Sequence, residues 1–313
     1  MPNTANLSQG EEKRSMKKRG QTIFLICMLT VPFLQWLIFW LYVNLSSIVL
    51  AFQDPRTGAL TFENFRLFWE GLTSPYGEIK IAVRNTLIYF ATSVVIMMPL
   101  SFIIAYFVYK RIRGYKAFRI IFYLPAIVNA VAMVTAYTNF IDPKGPLGAI
   151  VKFFGGQMDP EGLLAKPGTA TWTIVLYTIW TGFGANMLLF GGAMTRIPVD
   201  LLESARLDGI GAWKELTSII LPLVWSTVTT VIIVALTGIF SASGPILLFG
   251  GGAQNETTTI AYWIFAQVYG SGNVGGSGSY NLVSCAGLCF TAVSVPVILG
   301  IRKLLERIPT VEY

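Results

Sequence analysis

The chain has 313 residues, 54% of them hydrophobic and 12% charged, with 23 Lys and Arg against 16 Asp and Glu. A soluble chain carries about a quarter charged residues; here long uncharged blocks recur, each able to cross a bilayer core of about 30 Å, so the composition is that of a polytopic membrane protein. With no histidine, a His general base, a His-containing triad and a His-ligated metal site are excluded.

Six apolar blocks follow in chain order. Residues 22–43 come after a basic cluster of Lys13, Arg14, Lys17, Lys18 and Arg19. This block exceeds a signal-peptide core of about 7–15 residues and lacks a small-residue cleavage site, so it is expected to remain as the first helix. The stretch 44–84 has a turn at Asp54-Pro55 and an aromatic run, Phe62, Phe65, Phe68 and Trp69, spaced for one face of a helix on the membrane surface. Residues 85–109 and 120–141 are the second and third spans. The stretch 142–170 carries turn signals at Asp142-Pro143 and Lys166-Pro167-Gly168 and leads to the fourth span, 171–194. In that span Gly182, Gly184, Gly191, Gly192 and Ala193 predict a close-packing face. The fifth span, 221–249, should break near its outer end at Gly244-Pro245, because proline removes a backbone hydrogen bond. Residues 257–269, with Tyr262, Trp263 and Phe265, read as an interfacial helix, either a contact for an external protein or a membrane anchor. The sixth span is 282–301. The expected organisation is thus a basic segment 1–21, a first helix with its external segment 22–84, a core of five spans 85–304, and a tail 305–313.

Charge assigns the orientation. Sixteen Lys and Arg lie before the first span, in 110–119, in 196–214 and after the sixth; seven lie in the alternate connections. Positive loops stay cytoplasmic, which predicts both termini inside and six alternating spans in an all-α membrane protein. The same distribution attributes the basic balance to membrane topology rather than to nucleic acid.

Other motifs are weak. Gly270-Ser271-Gly272-Asn273-Val274-Gly275 matches G-x-G-x-x-G, but in an external glycine-rich turn rather than at a strand–helix junction. No G-x-x-x-x-G-K-[ST] is present, so this chain is not expected to cradle ATP. The spans hold no carboxylate, which counts against a proton-driven carrier. Cys27, Cys285 and Cys289 are expected to be buried small residues.

The informative segment is 196–222. Asp200 is placed as an N-cap with Glu203 closing a capping box. Leu201, Leu202, Ala205 and Leu207 make the short helix partly apolar, and Gly209 stops it where a positive φ is cheap. A second short helix runs from Ala212 to Leu221-Pro222. This helix–turn–helix on the basic side exceeds the roughly 2–8 residues of a plain connector, which predicts a docking role. Glu203-Ser204-Ala205, then Asp208-Gly209 and Ile220-Leu221-Pro222, resembles the "EAA" loop of permease subunits of binding-protein-dependent ABC importers; Ile197-Pro198, Leu202, Phe122-Tyr123-Leu124-Pro125 and Phe249 to Gly252 fit as well. Ser204 and Ile210 stand where the family commonly has alanine. The resemblance runs from about residue 85 to the C-terminus and is nearest to the maltose and glycerol-phosphate type of carbohydrate permease.

That resemblance implies a type I ABC importer permease fold in a bacterial or archaeal cell membrane and no catalytic or metal-binding residue. It implies a second, different permease subunit, two ATPase subunits that use ATP and Mg, and an extracellular binding protein delivering a sugar or oligosaccharide. Glu203, Ser204, Ala205, Asp208 and Gly209 would couple to the ATPase: Glu203 would pair with a base, Asp208 and Gly209 would shape the turn, and Ala205 would allow close approach. Polar residues in the spans are candidates for the solute pathway or, equally, for interhelical hydrogen bonds: Asn129, Tyr137, Asn139, Thr178, Trp180, Thr181, Asn186, Ser241 and Ser243. By resemblance, Thr178, Trp180, Thr181 and Gly182 match a sugar-touching stretch of the maltose-type permease. Ala235, Ile239 and Ala242 replace polar groups of that permease, so the sister subunit or another position would hold the solute. The alternatives are a self-sufficient carrier or channel for a small polar solute, or an importer permease for a different cargo.

Overall fold

A computed structural model of the chain describes residues 4–241, 244–251, 256–270 and 278–308. The described residues are helical, with no strand among them and an isolated bridge at Gln53–Leu60. The elements are α1 (4–51), α2 (Glu63–Thr73), α3 (Glu78–Tyr109), α4 (Tyr115–Ile127), α5 (Ala130–Ile141), α6 (Pro146–Phe153), α7 (Thr169–Met194), α8 (Val199–Leu207), α9 (Ala212–Leu223), α10 (Trp225–Thr237), α11 (Gly244–Leu248), α12 (Ile260–Tyr269) and α13 (Gly278–Leu305). Four stretches are long and apolar enough to cross a membrane: Gly20–Ala51, Glu78–Tyr109, Thr169–Met194 and Tyr280–Leu305. Two bent pairs raise that number to six if each is one span.

The first bend interrupts the block 120–141 expected as one span, whereas the second falls near the expected junction of the short helix with the fifth span at Leu221-Pro222. α4 and the stretch Ala130–Phe153, which α5 opens, meet at 108°. Pro125 lies inside α4, Val128 is extended, and Asn129 starts a new helix by accepting from the Val131 amide at 2.8 Å. Asn129 therefore serves the backbone as a cap. α9 and α10 meet at 74°, with Val224 between them just after Pro222. α10 gives way to a 3-10 turn at Gly238–Ser241 and α11 begins at Gly244, so the outer interruption starts earlier than Gly244-Pro245 alone suggests.

α1 shows why its blandly apolar sequence needs other partners. Its side chains from 20 to 40 are all exposed, Cys27 included, because no other described part of the chain covers them. Cys285 is buried and Cys289 half-buried, so the expectation of three buried cysteines fails at Cys27. Only the end of α1 is tied down: the Asn64 amide donates to the carbonyls of Ala51 and Gln53, and Asn281 donates to those of Leu50 and Gln53. These asparagines satisfy carbonyls that a helix end leaves open. The aromatic run on α2 divides as a helix dictates: Phe68 is buried edge-on against Phe290 of α13, while Phe62 and Trp69 face out.

Two apolar clusters organise the rest. At one end, Ala51, Phe68, Ile79, Ala82, Ile260, Trp263 and Cys285 join α1, α2, α3, α12 and α13. α12 is more than a surface anchor there: Asn85 donates to the carbonyls of Glu256 and Thr258, and Thr86 Oγ1 accepts from the Ile260 amide. At the other end, Phe102, Tyr106, Phe190, Met194, Leu202, Leu216 and Ile220 pack α3, α7, α8 and α9 together. This second cluster positions the 196–222 segment. The G-x-G-x-x-G stretch falls mostly within 271–277, outside the described residues.

Candidate functional site

α8 forms from Val199, two residues before the expected start. Pro198, at φ −57° and ψ 132°, takes the N-cap because its fixed φ suits the entry to a helix and its missing N–H costs nothing there. Asp200 consequently lies in the first turn and makes no side-chain cap bond, so the Asp200–Glu203 capping box is not formed. The carboxylate of Asp200 still faces the positive end of the helix dipole. The C-terminus follows the expectation. Gly209 sits at φ +73°, its amide donates to the Arg206 carbonyl, and the Ile210 amide donates to that of Ala205, the paired bonds of a Schellman cap.

The helix presents two faces. Leu202 is buried in the cluster shared with α3, α7 and α9, and Ala205 is buried as well. Ala205 therefore packs inward, and the expectation that it gives a partner close approach is corrected. Glu203, Ser204, Asp208 and Gly209 are exposed, and Glu203 makes no ion pair among the described residues. The same face carries Leu207, 89% exposed. A helical wheel places Leu207 about 140° from Leu202, so its outward position follows from the spacing.

What holds this helix to the bundle was not legible. Glu215, at the start of α9, is buried and receives Lys110 Nζ of α3 on both oxygens, at 2.6 and 2.7 Å. The Tyr106 hydroxyl donates to the Ala212 carbonyl at 3.2 Å, and Lys110 lies 5.7 Å from the Tyr106 ring centre. Directly after this clamp, Leu216–Ile220 forms a π-helical turn, a local widening that recurs at functional sites.

The solute candidates separate into groups. Tyr137 and Trp180 come together, ring centres 6.1 Å apart, with Tyr177 and Phe249 completing an aromatic cluster that links α5, α7 and the end of α11. Trp180 is 40% exposed, which leaves an apolar ring face open, while the Tyr137 hydroxyl donates to the Thr173 carbonyl at 3.1 Å. Thr178 and Thr181 donate to carbonyls of their own helix, Ile174 and Tyr177, and retain only acceptor capacity. Asn129 is a cap, as above. Ser243 lies outside the described residues; of Ser241 only the backbone is described, in the 3-10 turn. Asn139 is exposed, and Asn186 lines a largely apolar cavity with Ser93, Val94 and Met97.

Gly182 is a packing residue: a Cβ there would collide with Met97 Sδ of α3. Gly184 likewise faces Tyr123 and Ala126 and Ala193 packs against the cluster around Met194, whereas Gly191 and Gly192 face open space, so three of the five residues of the expected face make contacts. Gly182→Leu is expected to cost about 1–3 kcal/mol of stability through overpacking. Met97→Ala in the same chain should restore much of it, as read by thermal unfolding in micelles.

Residues 97–308 match the family "Binding-protein-dependent transport system inner membrane component". The chain is 25% identical over 247 residues to the lactose transport system permease protein LacF of Rhizobium radiobacter, covering 73% of this chain and 77% of the relative. It is 24% identical over 243 residues to the arabinooligosaccharides transport system permease protein AraP of Bacillus subtilis, covering 77% and 75%. In fold it superposes on a chain of the crystal structure of a bacterial ABC transporter involved in the import of the acidic polysaccharide alginate. That match has a TM-score of 0.79 at 21% identity and covers 94% of this chain and 99% of the other.

Proposed function

The chain belongs to the family of binding-protein-dependent transport system inner membrane components, and from that membership we propose that it is one of two permease subunits of an ATP-driven importer for a sugar or oligosaccharide. The named cargoes of its relatives, lactose and arabino-oligosaccharides, support the carbohydrate. An external binding protein delivers the solute, a second and different permease completes the pathway, and both termini are cytoplasmic, a reading supported by 16 basic residues in the segments assigned to one face against seven in those assigned to the other. ATP and Mg are used by two separate ATPase subunits, and this chain carries out no catalysis.

The observation that carries the reading is the two-faced α8. Its inner side is fused to the bundle through Leu202 and Ala205, and its outer side presents Glu203, Asp208 and a nearly fully exposed Leu207. An apolar side chain at the tip of a capped helix suits burial in a cleft of the ATPase, worth about 1.5–3 kcal/mol. The aromatic cluster around Tyr137 and Trp180 offers a platform for the apolar face of a sugar ring.

Leu207→Asp and Glu203→Ala, tested in the reconstituted transporter, are each expected to release the ATPase on purification. ATP-driven uptake should fall with it, while far-ultraviolet circular dichroism of the chain is unchanged. Wild-type uptake with a retained ATPase in both variants would refute the docking assignment.

A further inference from the structure

A cavity of about 490 Å³ lies between α3, the loop after it, α4 and α7, at the same end of the bundle as the Lys110–Glu215 clamp. Its lining grades from apolar to cationic along the helices. Ala105 and Leu188 lie about 9–10 Å along the helix axes from Arg111 and Thr195 respectively, at 1.5 Å per residue. Near the helix ends, Arg111, Tyr115, Arg119 and Thr195 line the opening, the Thr195 hydroxyl donating to the Gly192 carbonyl at 2.8 Å. Between these zones Gly191 and Gly192 supply a floor without side chains, and an added Cβ at either would meet nothing within 4 Å.

The electrostatics are one-sided. Of the five basic residues from Lys110 to Arg119, Lys110 is neutralised by Glu215. Arg111 and Arg119 make no ion pair or side-chain hydrogen bond among the described residues. The N-terminus of α4, at Tyr115, adds its partial positive charge to the same opening. Arg111 also adopts φ +53°, with its amide bonded to the Val108 carbonyl and that of Ile112 bonded to Phe107. This is a helix cap that glycine fills without strain, so arginine occupies it against the local backbone preference.

We propose that this cavity binds an acidic phospholipid. The headgroup phosphate is held by Arg111, Arg119 and the Tyr115 hydroxyl, and an acyl chain runs along Leu188 and the bare Gly191–Gly192 floor. The phosphate chemistry alone would suit a free phosphate equally; the apolar depth of the cavity selects the lipid. The proposal rests on the cytoplasmic-headgroup placement of this end given above, and its failure would leave ATP-driven uptake intact.

The test uses the full chain purified with the subunits that accompany it, stripped of lipid in neutral detergent. It is titrated with dioleoyl phosphatidylglycerol, dioleoyl phosphatidylcholine or inorganic phosphate and followed by native mass spectrometry. Phosphatidylglycerol is expected to bind in preference to phosphatidylcholine, and R111G and R119Q should each weaken it about fivefold, one surface cation's share. R113Q, on the same loop but away from the cavity, should leave it unchanged. R111G should unfold no earlier than wild type, since it relaxes the cap, so its lost binding is not lost folding. Equal retention of the two lipids, or the same loss in R113Q as in R111G and R119Q, would overturn the proposal. So would phosphate binding, lost in those two variants, without any lipid preference.

Discussion

Gly209→Pro is expected to abolish ATP-driven uptake while the membrane helices remain assembled. Gly209 lies at φ +73° and donates its amide to the Arg206 carbonyl. Proline fixes φ near −65° and has no amide hydrogen, so the substitution removes both the conformation and the bond that end α8. The loss at the cap, on the order of 2–3 kcal/mol, corresponds to about 30- to 150-fold weaker docking if it falls on the presented face. Nothing lies within 4 Å of a Cβ at this position, so the effect is one of backbone and not of crowding. Gly209→Asn tolerates the left-handed region and should keep most of the uptake. The pair is read by transport in proteoliposomes with ATP inside and by the ratio of ATPase to permease after purification. Proline matching wild type in both readouts would end the lever interpretation.

Separating Lys110 from Glu215 should produce the largest loss of stability. The Glu215 side chain is 3% exposed and that of Lys110 18%, so the carboxylate depends on its partner more than the ammonium does. Lys110→Met leaves a buried charge uncompensated and is expected to cost about 3–5 kcal/mol. Glu215→Gln should cost less, because Lys110 can turn toward water. The double variant Lys110→Met with Glu215→Met should recover more than half of the loss, since an apolar pair avoids the desolvation that the ion pair carries. Unfolding free energies in mixed micelles decide it; equal stability of Lys110→Met and wild type would show that the contact holds nothing. In the single variants α9 is also loosened from α3, so ATP hydrolysis in the assembled transporter should continue while uptake falls.

The separation of these two residues by 105 positions marks the limit of reading the chain by itself. Lys110 is one of five basic residues counted for orientation, and Glu215 one acid of a polar loop; no local spacing joins them. Hydropathy and charge, which act residue by residue, were sufficient for the helical membrane class, the apolar stretches and the glycine stop at 209. Backbone chemistry had a say that hydropathy lacks. Pro125 and Asn129 turn one apolar block into two helices at 108°, and Pro198 takes the cap from Asp200. Both effects were written in the residues but outweighed by the apolar run around them or by a better-known capping pattern. The contacts between distant segments were decided in the tertiary structure alone. Gly182 against Met97, the Tyr137–Tyr177–Trp180–Phe249 cluster, inward Ala205 and the Lys110–Glu215 clamp all depend on which helix faces which. A uniformly apolar helix has little amphipathic signal to state its facing, so packing chooses the neighbour, and with it which polar groups support the bundle and which stay free for a partner or a solute.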